Sequence, residues 1–269
     1  MKNLPRKPIL IGVVIAIVVL LVGGGVWIAT RSGSKTEETT TANKKRISLP
    51  ENVIPVEERP VMRLTPLSSG HHIEFAIETV KKAADEVEYT LEYQTGTLVQ
   101  AEQDVLSLAS LPVSKEIYLG SCSAGGACTS HEDVKGGSLL TTFLGEEPYA
   151  LKSDWKYIDN VKKETEFSSR DGMFQISSAD LATNRYLIIF NNAGYPADVP
   201  GKVVSVPYSL SASSTIDGMA TLNIRAQEEG DLSIAGWNDQ EWQTFETTVE
   251  GKMVSATVEL LPLYVVVSN

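Results

Sequence analysis

The chain has 269 residues, with 23 Lys and Arg against 34 Asp and Glu, a net charge of −11 at pH 7, and only two cysteines and three histidines. An acidic balance of this size argues against nucleic acid and anionic lipid as partners, since both select fields of Lys and Arg. No phosphate-binding Gly-Lys-Ser loop, dinucleotide fingerprint or Gly-x-Ser-x-Gly elbow is present, so nucleotide chemistry and serine hydrolysis have no sequence support.

From the N-terminus, Lys2, Arg6 and Lys7 precede an uncharged run of 23 residues, Pro8–Thr30. As a helix at ~1.5 Å per residue that run is roughly 35 Å long, enough to cross the hydrocarbon core. A short basic tail before it favours a cytoplasmic N-terminus and export of the rest. The apolar run exceeds the ~7–15 residues of a cleaved signal peptide, and Trp27 stands where a cleavage site ending at Ala29 wants a small residue. The expectation is a short cytoplasmic tail over 1–8 and a retained signal anchor over 9–30. Residues 31–49 are polar and rich in Ser and Thr, too poor in apolar surface to offset their ordering entropy, and are expected to form a flexible stalk. The implied location is the cell membrane, crossed once, with the C-terminal part extracytoplasmic.

Beyond the stalk the dominant period is two. Ile73, Phe75 and Ile77 alternate with Glu74, Ala76 and Glu78, and Val87, Tyr89, Leu91 and Tyr93 alternate with polar residues. Such alternation marks strands with one dry and one wet face. Further strands are expected within 116–120, 138–145, 149–158, 173–177, 185–191 and 202–212, separated by turn residues such as Arg170-Asp171-Gly172. Residues 79–86 have the composition for two helical turns, 101–111 read as helix or strand, and 177–184 begin on Ser as a single helical turn does. A composition break near 213 suggests a boundary. Past it, nine acidic residues face two basic ones, about five strands are expected, and 57 residues are marginal for a separate core. The tail is therefore expected to pack against a larger domain that folds without it.

The tail, with "LSIAGWNDQEWQTFETTVEGKMVSATVELLPLYVVV", resembles the closing β-module of bacterial cell-surface proteins, with immunoglobulin-like and ZU5-like modules as the named relatives. The preceding residues resemble immunoglobulin-like sandwiches in strand texture, without two distant cysteines to staple the sheets. The resemblance implies adhesion, spacing or assembly at a surface and transfers no catalytic residue. The expected fold is an all-β ectodomain on one N-terminal transmembrane helix: an antiparallel immunoglobulin-like β-sandwich over 50–212 plus a small acidic C-terminal β-module over 213–269.

The candidate chemistry sits in "GSCSAGGACTSHEDVKGG", residues 120–137. Cys122 and Cys128 lie six apart with two glycines between them, a loop able to bring Cα atoms within the ~4.4–6.8 Å that a disulfide spans. Beyond an export signal the compartment is oxidising, so a disulfide is expected. A cysteine nucleophile with His131 as base competes, but a second cysteine stands ready to quench it. A zinc site from the cysteines, His131, Glu132 and Asp133 would be crowded into twelve residues. Acidic loops such as 228–231 and 238–241 match no calcium-loop spacing. Trp237 and Trp242 are the candidate ligand-contact aromatics, with packing beside a hairpin as the competing role. The expectation is a surface protein with a structural, adhesive or protein-interaction role, without catalysis, cofactor or metal. The alternatives are a module binding glycan or cell wall, or an accessory subunit of a membrane or secretion complex.

Overall fold

Alternation of dry and wet residues becomes strand after strand. The structure, a computed structural model, describes residues 49–268. The expected tail, membrane span and all but the last residue of the expected stalk lie outside the described residues. Among the described residues no helix is long and apolar enough to cross a membrane.

In chain order the strands are β1 (Val61–Pro66), β2 (His72–Thr79), β3 (Glu86–Thr95), β4 (Leu98–Ser107), β5 (Val113–Tyr118), β6 (Gly120–Cys122), β7 (Cys128–Ser130), β8 (Val134–Leu144), β9 (Tyr149–Asp159) and β10 (Glu166–Ser168). They continue as β11 (Phe174–Ser177), β12 (Tyr186–Asn191), β13 (Lys202–Val203), β14 (Tyr208–Ala212), β15 (Met219–Arg225), β16 (Leu232–Trp237), β17 (Trp242–Phe245), β18 (Thr247–Glu250), β19 (Met253–Glu259) and β20 (Leu263–Ser268). Their ladders are antiparallel. Among the described residues helix is confined to two 3-10 turns, Val56–Glu58 and Ala179–Thr183. The second is the expected turn at 177–184: Ser178 caps it by accepting the Asp180 N–H. Residues 79–86 form no helix. Thr79 and Glu86 already pair in strands, so the residues between them are a crossing. The ambiguous stretch from 101 resolves as the end of β4.

A large sheet runs β17-β16-β20-β14-β12-β9-β8-β3-β4, with β13 also on β20. A three-stranded sheet, β1-β2-β5, and a five-stranded sheet, β10-β11-β15-β19-β18, cover different faces of it. Strand β12 records this directly. Leu187 and Ile189 join the core that holds Phe174, Leu222 and Val254 of the five-stranded sheet. Ile188 and Phe190 join the core that holds Leu64, Phe75 and Ile117 of the three-stranded sheet. A strand covered on both faces must be apolar at every position, which is why its sequence reads Leu-Ile-Ile-Phe instead of alternating. All four side chains are 0 % exposed, and each such burial is worth ~1.5–3 kcal/mol.

The expected boundary near 213 does not divide the core. Tyr208 and Leu210 share one cluster with Leu232, Tyr264 and Val266, and β20 lies between β16 and β14 in the large sheet. The reason is the run Leu-Tyr-Val-Val-Val in β20. Tyr264 and Val266 face the five-stranded sheet, while Leu263, Val265 and Val267 need a second cover, supplied around Tyr195. A 57-residue tail has no such second layer of its own. The described residues make one compact unit.

Candidate functional site

The strands β6 and β7 form a small hairpin, with Cys122 opposite Cys128 and the two joined by a disulfide. The hairpin is exposed, and no free cysteine remains among the described residues. His131, just after β7, has both ring nitrogens engaged: Nδ1 with the Tyr93 hydroxyl and Nε2 with the Ser121 hydroxyl, each at 2.9 Å. Burial first, then the charge of Glu102, pushes the Tyr93 phenol up to about 12, so it stays protonated near neutral pH. The imidazole therefore pins the hairpin to β3 and has no thiol to activate. Among the described residues no group of three His, Cys, Asp or Glu side chains is gathered to hold a metal ion. His71 and His131 do line one polar cleft of about 690 Å³, together with the paired Arg185 and Asp159.

The second cleft, a groove of about 760 Å³, contains Trp237. Its floor is the wet face of the three-stranded sheet, where Arg63, Glu74, Ala76 and Glu78 alternate with buried Met62, Leu64, Phe75 and Ile77. Pro112, Val113 and Ser114 line it near the start of β5, and Pro196, Ala197, Trp237 and Asp239 rise from the large sheet and its loop. The size falls within the ~300–1,000 Å³ usual for small-ligand sites.

Local sequence sets the Trp wall. Trp237 and Trp242 stand opposite each other at the end of the β16–β17 ladder, with ring centroids 5.5 Å apart. Asn238 builds the turn between them, its side-chain oxygen accepting the Gln240 and Glu241 N–H groups. Asp239 takes a left-handed φ of 73°, which Asp tolerates better than most residues. From there it reaches across to Arg63 at 2.6 Å, while Glu78 holds the same guanidinium at 2.7 Å. Burial strips solvent from Arg63, but the bonds and charges of Asp239 and Glu78 outweigh that loss and hold its pKa above the usual value. Glu74 accepts from the Ser114 hydroxyl at 2.8 Å. Lys81, at the groove's edge, lies 4.6 Å from the centroid of the Tyr195 ring, and burial lowers its pKa against the opposing pull of Glu57.

The loop behind the wall is fixed by close packing. A Cβ at Gly194 would lie 2.5 Å from the Arg59 carbonyl oxygen, so only glycine lets the loop approach the entry to β1. Trp242 donates its indole N–H to the Ala197 carbonyl at 2.9 Å, tying hairpin to loop.

The two tryptophans named from sequence thus divide their roles: Trp242 packs and anchors, and Trp237 faces the groove. Arg63 and the floor carboxylates were not singled out from sequence, and Asp239 entered only as part of the acidic loop 238–241. The available signal was Arg63 itself, a charge at a wet position within the apolar run Val61–Leu64. Comparison with protein-family models, curated proteins and solved structures returns no match for this chain.

Proposed function

We propose that the protein is a membrane-anchored, extracytoplasmic surface protein whose β-domain acts by binding, with the groove beside Trp237 as its recognition site. The groove carries this reading. It joins an aromatic wall, a mostly apolar lining and a few fixed polar groups, the composition of a ligand site. The same surface is compatible with the adhesive role implied by the resemblance to cell-surface modules. Immunoglobulin-like packing is the finer character we assign to the sandwich that the five-stranded sheet makes with the large sheet. The Tyr264 hydroxyl, near the start of β20, donates to the Glu259 carbonyl five residues upstream, a bond of the kind that closes corners in such sandwiches. Residues 9–30 supply the anchor in this proposal, and an acidic ectodomain disfavours nucleic acid.

The test uses cells bearing the full-length chain. External protease is expected to remove the β-domain, and adhesion of those cells to their surface partner is expected to drop on Trp237→Ala or on Ala76→Arg, which fills the floor. A β-domain fully protected from external protease contradicts the topology. Unchanged adhesion in both variants contradicts the assigned site.

A further inference from the structure

We infer that the groove takes an uncharged pyranose glycan, one sugar ring stacked on the Trp237 indole and its hydroxyls bonded to Glu74, Glu78 and Arg63. This rests on reading the groove as the recognition site and adds the ligand class.

The floor argues against an extended peptide. Strand addition uses unpaired main-chain groups along a sheet edge. Here β2 lies between β1 and β5, so the floor is the face of a paired sheet and offers side chains only.

Charge argues against an ionic ligand. The Arg63 guanidinium is already matched by Glu78 and Asp239 and the Lys81 ammonium at the edge sits over the Tyr195 ring, so an anion finds the floor cation taken and meets Glu74 beside it. A ligand cation finds Glu78 and Asp239 committed to Arg63, Glu74 held by the Ser114 hydroxyl, and the Lys81 charge at the edge. What remains free is hydrogen-bonding capacity in fixed directions: spare carboxylate lone pairs beside guanidinium N–H donors. Neighbouring sugar hydroxyls, each both donor and acceptor, match such a set.

The indole completes the match. Trp155 donates its N–H to the Glu92 carbonyl and Trp242 to the Ala197 carbonyl. Among the described residues Trp237 donates its indole N–H to no protein group. It lines the groove with an indole whose N–H is a spare donor, and in this proposal the C–H face of the sugar lies against that ring with the hydroxyls at its rim. Pro112 and Pro196 extend that apolar lining.

The experiment titrates the full-length chain in detergent micelles with neutral oligosaccharides of N-acetylglucosamine, glucose and mannose, and with polygalacturonate as the anionic arm. Tryptophan fluorescence and calorimetry give the readout. At least one neutral series is expected to saturate with little dependence on salt, and polygalacturonate is expected not to bind. Trp237→Ala should weaken the neutral ligand about tenfold or more. Ala76→Arg should do the same without touching the wall, and serves if Trp237→Ala fails to fold by circular dichroism. Val249→Ser, on the five-stranded sheet, should change nothing. Failure of all neutral series, binding of polygalacturonate instead, or neutral binding indifferent to both groove variants overturns the inference. If the neutral sugars fail while Ala76→Arg still abolishes cell adhesion, the ligand class is wrong and the site stands. If adhesion is also unchanged, the site falls with it.

Discussion

The carboxamide of Asn192 takes the place of a neighbouring strand for Met62. Its Oδ1 accepts the Met62 N–H at 3.3 Å and its Nδ2 donates to the Met62 carbonyl. Two residues further along β1, the Ser211 hydroxyl donates to the Leu64 carbonyl. The inner edge of β1 would otherwise be buried against β12 and β14 with unpaired main-chain groups. Side chains of the large sheet thus join the three-stranded sheet that forms the groove floor.

Asn192→Ala should therefore destabilise the fold by about 2–4 kcal/mol, since each buried group left unpaired costs ~1–3 kcal/mol. Asn192→Asp should be worse than Ala, because a carboxylate would face the Met62 carbonyl with no proton to offer. Denaturant unfolding of the three proteins gives the ranking. An Asp variant as stable as wild type contradicts this account of the joint.

Deleting residues 213–269 should leave an aggregating, uncooperative remainder. The deletion removes β20 from the middle of the large sheet and most of the five-stranded sheet that covers Leu187 and Ile189. Loss of a sharp thermal transition is the expected result. A soluble, cooperatively melting 1–212 protein would restore the boundary suggested by composition.

Replacing both Cys122 and Cys128 by Ser should lower stability by no more than about 2 kcal/mol, the loop-closure value for so short a ring. That corresponds to roughly 4–8 °C in a body of this size. The hairpin keeps its own ladder and the His131 contacts to Tyr93 and Ser121. Thiol titration of the denatured, non-reduced wild type should find no free thiol. Two free thiols contradict the bond.

Stability should fall as pH rises above 10. Burial first, then nearby acidic charge, raises the Tyr89 phenol to about 12, and Tyr93 likewise. Unfolded tyrosines ionise near 10, so between 10 and 12 the unfolded state binds fewer protons and gains population. The contribution is complete below pH 10 and is lost as pH climbs through the folded values. Denaturant midpoints at neutral pH and above 10 check this. An unchanged midpoint at pH 11 contradicts it.

Much of the fold was readable in the sequence because period two reports which face of a strand is dry. Ile73, Phe75 and Ile77 are buried as their alternation implies, and Ser178 caps its turn. Periodicity does not report what covers the dry face. Leu187–Phe190 and Leu263–Val267 lack alternation because each is covered twice, and only the assembled sheets reveal by what. The groove was less legible still. Arg63, Glu78 and Asp239 meet across 176 residues of sequence between the farthest pair, and no local pattern encodes that meeting. Trp237 was visible as a type of residue, but its separation in role from Trp242 depends on a single bond to Ala197.

Oxidative footprinting of the full-length chain, on intact cells and after purification, tests the recognition site most directly. Met173 and Met219, 41 % and 51 % exposed and outside the groove, act as internal references. Trp237 should be protected on cells relative to the purified chain, while both methionines oxidise equally in the two settings. Equal oxidation of Trp237 on cells and in isolation would contradict an occupied groove, and with it a function based on binding there.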